Sequence, residues 1–233
     1  MPTVLITGAS KGIGEATARR FADAGWDLLL VARSRDKLES LSKALSRTGS
    51  QIFYQAIDLS DSKALEKGIL ELLDNGLSPS VLINNAGVAW TGDLLSMPLE
   101  RWTWLLNVNV TSVFQICSLV VPSMRKKGGL VINVSSHAAD NSFPQWGAYC
   151  VSKAALSRLT KCLAEEERSN SIRACTLTLG SVNSSLWDSL DNDFDRDAML
   201  SVDQVSNQLL KLAELPPSEV IEELKLMPSG GAF

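Results

Sequence analysis

Two ionisable side chains four residues apart carry the first sign of chemistry. In Tyr149-Cys150-Val151-Ser152-Lys153 the tyrosine and lysine fall on one face of a helix, a turn apart. A free phenol ionises near pH 10, so at neutral pH it is a poor proton donor and a poorer base. A neighbouring ammonium favours the phenolate and is expected to bring its pKa down toward the working range. Such a pair can give a proton to a carbonyl oxygen or take one from an alcohol. Ser136, thirteen residues upstream, adds a hydroxyl able to hold the same oxygen.

A second constellation is a glycine turn, Thr7-Gly8-Ala9-Ser10-Lys11-Gly12-Ile13-Gly14, followed by the helical stretch Glu15–Ala24. Glycine lets the backbone turn tightly and approach a pyrophosphate, and the helix N-terminus offers free N–H groups to its charge. The spacing differs from GxGxxG: three residues separate the first two glycines and one the last two.

Positioning these groups requires a regular frame. Short apolar runs, the length of buried strands, occur at Val4–Ile6, Asp27–Val31, Gln51–Gln55, Val81–Ile83, Leu130–Val134, Arg173–Leu179 and Leu224–Met227. Amphipathic stretches lie between them, among them Arg35–Arg47 after Ser34, Asp61–Asn75 after Ser60, and a late helix over Ala198–Leu215. This alternation predicts an α/β fold: a Rossmann-like, doubly wound parallel sheet of about seven strands with helices on both faces. Gly128-Gly129 and Pro216-Pro217 read as turns, and residues 1–233 as a single domain.

Composition narrows the function classes. The chain has 233 residues, 45% hydrophobic and 21% charged, enough for a sizeable core and unlike a disordered chain. A net charge of −4 without a long basic run argues against nucleic acid or an anionic membrane as main partner. His137 is the sole histidine, so zinc sites built on several histidines are excluded and no metal is expected. Cys117, Cys150, Cys162 and Cys175 form no CxxC pair and read as reduced thiols of a cytoplasmic protein. Polar residues interrupt the apolar stretch Val108–Met124, which reads as a buried helix and not a membrane span.

Taken together, the motifs resemble those of the short-chain dehydrogenase/reductase family. Thr7-Gly8-x-x-x-Gly12-x-Gly14 is similar to its cofactor turn, Asn84-Asn85-Ala86-Gly87 to its NNAG motif, and Tyr149-x-x-x-Lys153 with Ser136 to its catalytic set. Asn109 falls where the family places a catalytic asparagine supporting a proton-refilling water chain, and Lys153 where it holds the nicotinamide ribose. The resemblance implies a catalytic set of Asn109, Ser136, Tyr149 and Lys153. It implies cofactor contacts at Gly8, Ser10, Lys11, Gly12, Ile13, Gly14, Arg33, Asp58, Leu59, Asn85, Ala86, Gly87, Tyr149, Lys153, Gly180, Val182 and Ser184.

Charge selects the cofactor. NAD enzymes usually carry an acidic residue at the end of the second strand for the ribose 2′-hydroxyl. Here Ala32 occupies that place, and Arg33 could form a forked pair with a 2′-phosphate. Lys11 resembles the second basic residue of NADP-preferring members. NADP, with NADPH over NADH, is therefore the expected cofactor. Asp58 resembles the aspartate that contacts adenine, or it caps the helix near Ser60.

One motif departs from the family. Leu179-Gly180-Ser181-Val182-Asn183-Ser184 replaces Pro-Gly-x-x-x-Thr, predicting a less rigid turn that keeps a hydroxyl at Ser184. Residues 181–197 read either as a solvated loop or as a mobile lid. Trp90, Phe143, Trp146 and Trp187 are expected to border an apolar, partly aromatic mouth, or to pack elsewhere, while Trp102 and Trp104 belong to packing. His137 lines the pocket or is a satisfied loop residue. Apolar surface on Trp102–Met124 and Ala154–Leu163 suggests a homodimer or homotetramer, and the tail ending in Phe233 docks on a neighbour or frays.

These features imply an NADP(H)-dependent oxidoreductase interconverting a small-molecule ketone or aldehyde and its alcohol, a carbonyl reductase. Two alternatives stand beside it. One is a 3-oxoacyl thioester reductase, for which Arg125-Lys126-Lys127 would be the patch for an acidic carrier protein. The other is a non-catalytic NADP-sensing protein.

Overall fold

A computed structural model describes residues 1–189 and 195–231 of the chain. Residues 190–194 of the expected lid, and Phe233 of the expected docking tail, lie outside the described residues.

Seven strands form one sheet in the order β3-β2-β1-β4-β5-β6-β7. They are β1 (Thr3–Thr7), β2 (Asp27–Ala32), β3 (Ile52–Ala56), β4 (Val81–Asn84), β5 (Gly129–Ser136), β6 (Ile172–Leu179) and β7 (Glu223–Leu226). Every neighbouring pair is parallel. Helices α1 (Gly12–Asp23), α2 (Arg35–Leu45), α3 (Ser62–Leu73), α4 (Leu99–Leu106), α5 (Ser112–Met124), α6 (Gly147–Glu167) and α7 (Val202–Ala213) connect them.

The inner strands β1, β2 and β4 are buried along their whole length because both faces are covered, whereas the edge strand β7, Glu223-Leu224-Lys225-Leu226, alternates. Val4, Ile6, Leu28 and Leu30 pack with Phe21 of α1, Leu38 of α2 and Leu209 of α7. Their neighbours Leu5, Leu29 and Val31 point the other way, onto Ile69 of α3, Ile116 of α5 and Leu156 of α6. Each fully buried leucine contributes about 1.5–3 kcal/mol through the apolar surface withdrawn from water.

Helix starts follow the local hydrogen-bonding chemistry. Asp61, not Ser60, caps α3, accepting from the backbone N–H groups of Lys63 and Ala64 at 3.0 Å each. The helix expected from Ala198 begins at Val202. Ser201 and Gln204 form a reciprocal capping box there, while Leu200 pairs with Val182 as an isolated bridge.

The apolar segment Leu99–Met124 is long and apolar enough to cross a bilayer, and half of its most apolar window is buried inside the fold. It is not one regular helix. A π-helical turn, Asn107–Thr111, separates α4 from α5. One extra residue in the turn re-aims the side chains on it, a feature common at functional sites.

The sheet order reverses between β1 and β4, opening a crevice at the carboxyl ends of the strands.

Candidate active site

A cavity of about 670 Å³ occupies that crevice. Its wall is assembled from the residues leaving β1 through β6: Gly8 and Ser10–Ile13, Ala32–Ser34, Ile57–Leu59, Asn85–Val88, Val134–Ala138 and Leu179–Val182. Tyr149 and Lys153 reach it from α6.

The glycine turn is shaped by backbone contact. Gly8 has φ +69°, and a Cβ there would stand 2.9 Å from Asn85 Nδ2; at Gly14 it would stand 2.2 Å from the Gly8 carbonyl oxygen. Thr7 and Asn85 lock this turn to β4. The backbone N–H groups of Asn85 and Ala86 both donate to Thr7 Oγ1 at 3.1 Å, and Asn85 Nδ2 donates to the Thr7 carbonyl at 3.0 Å. The Asn85 side chain therefore holds the cradle itself. Asn84 turns inward instead and donates to Asn133, which donates to Thr160, both at 2.8 Å.

The expected acid–base residues come together. Lys153 Nζ lies 5.7 Å from the centre of the Tyr149 ring and donates to the Val134 carbonyl at 2.9 Å. Ser136 ends β5, accepts from the Ala138 N–H at 3.2 Å and hydrogen-bonds Tyr149. Asn109, on the π turn, is buried. Its Oδ1 accepts from the Val88 N–H, and its Nδ2 donates to the Val88 carbonyl and to Ser152 Oγ, each at 2.9 Å. Ser152 donates in turn to the Tyr149 carbonyl at 2.8 Å. Asn109 thus ties the segment after β4 to the helix that carries Tyr149.

The electrostatics correct one expectation. Burial pushes the Tyr149 phenol up to about 12, although the Ser136 hydrogen bond pulls against it. Burial lowers the Lys153 ammonium to about 8. Desolvation, not the neighbouring ammonium, sets the phenol, and each group is pushed toward its neutral form.

At the β2 side of the cavity Arg33 is joined by Ser34 and Lys37, which sequence reading missed. The four-residue interval from Arg33 to Lys37 across the start of α2 was the available signal. Lys11 lines the same cavity. Asp58 does not cap α3. Its Oδ1 accepts from the Ser60 N–H at 2.9 Å and hydroxyl at 2.8 Å, and these bonds hold its carboxyl below the usual range. Its other carboxylate oxygen has no bond to Ser60.

The turn after β6 keeps its order without proline. Leu179 is buried and pairs with Leu226, and the Gly180 N–H donates to the Leu226 carbonyl at 2.9 Å. Val182 and Ser184 reach the cavity wall, and the Leu200 N–H donates to the Ser181 carbonyl at 3.0 Å. The predicted loss of rigidity is thus offset by strand pairing. Arg196 also fastens the described part of the following loop, donating to Asn183 Oδ1 at 2.9 Å and to the Ser184 carbonyl at 3.0 Å.

Aromatic side chains gather at the opposite side. Trp146 lies 5.6 Å from Tyr149 and 5.8 Å from Trp187 between ring centres, and Phe143 lies 5.0 Å from His137. Of the side chains expected at the mouth, His137, Phe143, Trp146 and Trp187 line the cavity, but Trp90 does not. Its indole lies over Gly92, where a Cβ would stand 2.5 Å from the ring.

Comparison with known proteins agrees with this geometry. The family model described as short chain dehydrogenase matches residues 2–194. Serine 3-dehydrogenase of Rhizobium radiobacter is 29% identical over 240 residues, covering 99% of this chain and 95% of its own. An alcohol dehydrogenase from the archaeon Thermococcus sibiricus, complexed with 5-hydroxy-NADP, superposes with a TM-score of 0.91 at 29% identity, covering 98% of this chain and 97% of its own. A metagenomic short-chain oxidoreductase in complex with NADP gives a TM-score of 0.86 at 30% identity, with coverage of 98% and 97%.

Proposed function

The chain belongs to the short-chain dehydrogenase family, and from that premise we propose that it is an NADP(H)-dependent reductase of small-molecule ketones or aldehydes. The observation that carries the cofactor choice is the group of cations at the β2 end of the cavity. Arg33 and Lys37 line it there, and Ala32 stands where an acidic residue would repel a 2′-phosphate.

The cavity fits a dinucleotide. At Gly8 and Gly14 a Cβ would collide with Asn85 and with the Gly8 carbonyl, so only glycine lets the turn close, and Gly8 and Gly12 bring bare backbone to the cavity wall. Ser10, Lys11, Gly12 and Ile13 would face the phosphates, Asp58 and Leu59 the adenine, and Ala86, Gly87, Gly180, Val182 and Ser184 the remainder. When bound, the reduced nicotinamide supplies the hydride that attacks a carbonyl carbon.

The protein's own residues handle the oxygen. Ser136 holds it, and Tyr149 delivers the proton. A phenol pushed up to about 12 stays protonated at neutral pH, the form needed for donation and therefore for reduction. Lys153 lies over the ring face and would hold the ribose. Asn109 keeps the Val88 segment and α6 in register, with proton-relay support as its further role.

The thioester alternative loses its main support. Arg125-Lys126-Lys127 follows α5 and precedes β5, so it lies at the amino end of β5, while the cavity lies at the carboxyl end. Eight residues of strand separate the two by about 25 Å. Arg125 is also paired with Glu167 at 2.6 Å.

Titration with NADPH and NADH, read by energy transfer from the tryptophans, tests the proposal. NADPH is expected to bind more tightly than NADH. Arg33→Ala should weaken NADPH about 10–100-fold while leaving NADH nearly unchanged, the effect of removing a charge-assisted hydrogen bond to one phosphate. Equal NADH binding would overturn the cofactor choice. Binding without turnover of any carbonyl compound would favour the sensing alternative.

A further inference from the structure

Resting on the reductase reading, we propose that the site selects a neutral, ring-bearing ketone with a second oxygen beside the reacting carbonyl. Trp146 and Trp187 face the ring, and His137 hydrogen-bonds the second oxygen.

The charge distribution of the cavity disfavours an anionic substrate. The cavity's cations are Lys11, Arg33 and Lys37, together with Lys153. Arg33 and Lys37 follow β2, three strands from β5 in the sheet, or about 15 Å. Lys153 is buried against the Val134 carbonyl. No described cation remains beside the aromatic wall, and residues 190–194, Leu-Asp-Asn-Asp-Phe, bring none in their sequence. Arg196 is engaged with Asn183 and the Ser184 carbonyl. A carboxylate entering this end would lose its hydration without gaining a partner. The site thus differs from what the zwitterionic substrate in the name of serine 3-dehydrogenase would require.

The aromatic corner is preorganised. Gln145 has φ 67°, a left-handed backbone that residues other than glycine seldom adopt. Its carbonyl accepts from the Gly92 N–H at 2.9 Å, which fixes the turn. With the chain turned there, Pro144 and Trp146 both face the cavity. Trp187 meets Trp146, and its indole N–H donates to the Val182 carbonyl at 2.9 Å. Rigid rings held in advance lose little freedom when a flat ligand binds.

His137 supplies the polar contact. It directly follows Ser136 and lines the cavity. Among the described residues none hydrogen-bonds its imidazole, whose ring packs on Phe143. Burial lowers its pKa from 6.5, so at neutral pH the ring is uncharged, with one nitrogen donating and one accepting. An oxygen adjacent to the carbonyl held by Ser136 is the ligand group that would use it.

The test uses 1-phenyl-1,2-propanedione, acetophenone and the anion phenylglyoxylate, each with the NADPH-loaded enzyme. Reduction consumes one NADPH and one proton per carbonyl and releases the alcohol and NADP⁺. Wild-type kcat/KM should be at least about 100-fold higher for the dione than for phenylglyoxylate. His137→Phe should cut the dione-to-acetophenone ratio about tenfold, the value of one neutral hydrogen bond. The ratio is read because intrinsic carbonyl reactivity cancels between enzyme forms. Trp187→Ala should lower kcat/KM for both neutral ketones about tenfold. A ratio unchanged in His137→Phe, or preference for phenylglyoxylate, overturns the proposal. Dione binding to the NADPH complex, read by tryptophan quenching, separates the two readings. Binding without reduction supports the recognition and overturns the reductase; NADPH binding without dione binding overturns the recognition; absence of NADPH binding overturns the underlying reading.

Discussion

Lys153 is a buried ammonium whose charge the fold disfavours, and its proton equilibrium is linked to stability. Its pKa in the folded protein is about 8, below the ordinary 10.5. Between these values the unfolded chain holds a proton that the folded protein has released, so stability rises with pH across that interval. Below pH 8 both states are protonated, and the full penalty of burying the charge is present. The unfolding free energy of wild type relative to Lys153→Met is therefore expected to move in favour of wild type from pH 8 to 10.5. Denaturant titrations of both proteins at several pH values would measure this. A difference independent of pH would show that the amine is not desolvated as described.

At the scale of elements, the π turn between α4 and α5 determines where Asn109 points. Its amide makes three hydrogen bonds, two to Val88 and one to Ser152, and is 1% exposed. Asn109→Ala leaves the Val88 N–H and carbonyl without their partner in a partly buried place. A loss of about 3 kcal/mol is expected, from unsatisfied backbone groups and the broken tie to Ser152. The midpoint of urea unfolding reports it. A loss under about 0.5 kcal/mol would mean that the clamp is dispensable and that Asn109 matters to the reaction alone.

Over the whole molecule, apolar side chains remain uncovered on one layer. Phe114 on α5 is 59% exposed and Val151 on α6 is 45% exposed, both on the face that carries α3. Leu95 and Leu99, before and at the start of α4, are also exposed. We expect a homodimer or homotetramer that buries part of this apolar surface, since a specific interface needs about 1,200–2,000 Å². Sedimentation equilibrium would show a species of at least twice the chain mass. Phe114→Glu combined with Val151→Lys should shift it toward the single chain without lowering helix content. A monomeric wild type at micromolar concentration would remove this expectation.

Much of this was legible in the residues, for reasons of periodicity and local chemistry. Apolar runs the length of strands announced the parallel sheet because a strand buried on both faces has no polar alternation to disguise it. The glycine turn was readable because only glycine fits a backbone that passes within 3 Å of a neighbour's atoms, as at Gly14. The Tyr149–Lys153 pair was readable because helical spacing is local. What the sequence could not determine depends on distance through space. Asp61 won the cap of α3 from Ser60, and Asp58 turned to Ser60, by the geometry of a single turn. Lys37 joined Arg33 only because α2 starts at the cavity's edge, and Trp90 left the wall because its chain folded over Gly92. The phenol's rise to about 12 had no local signal at all. Sequence spacing brought an ammonium near Tyr149, but only tertiary packing withdrew both groups from water, and desolvation outweighed the charge.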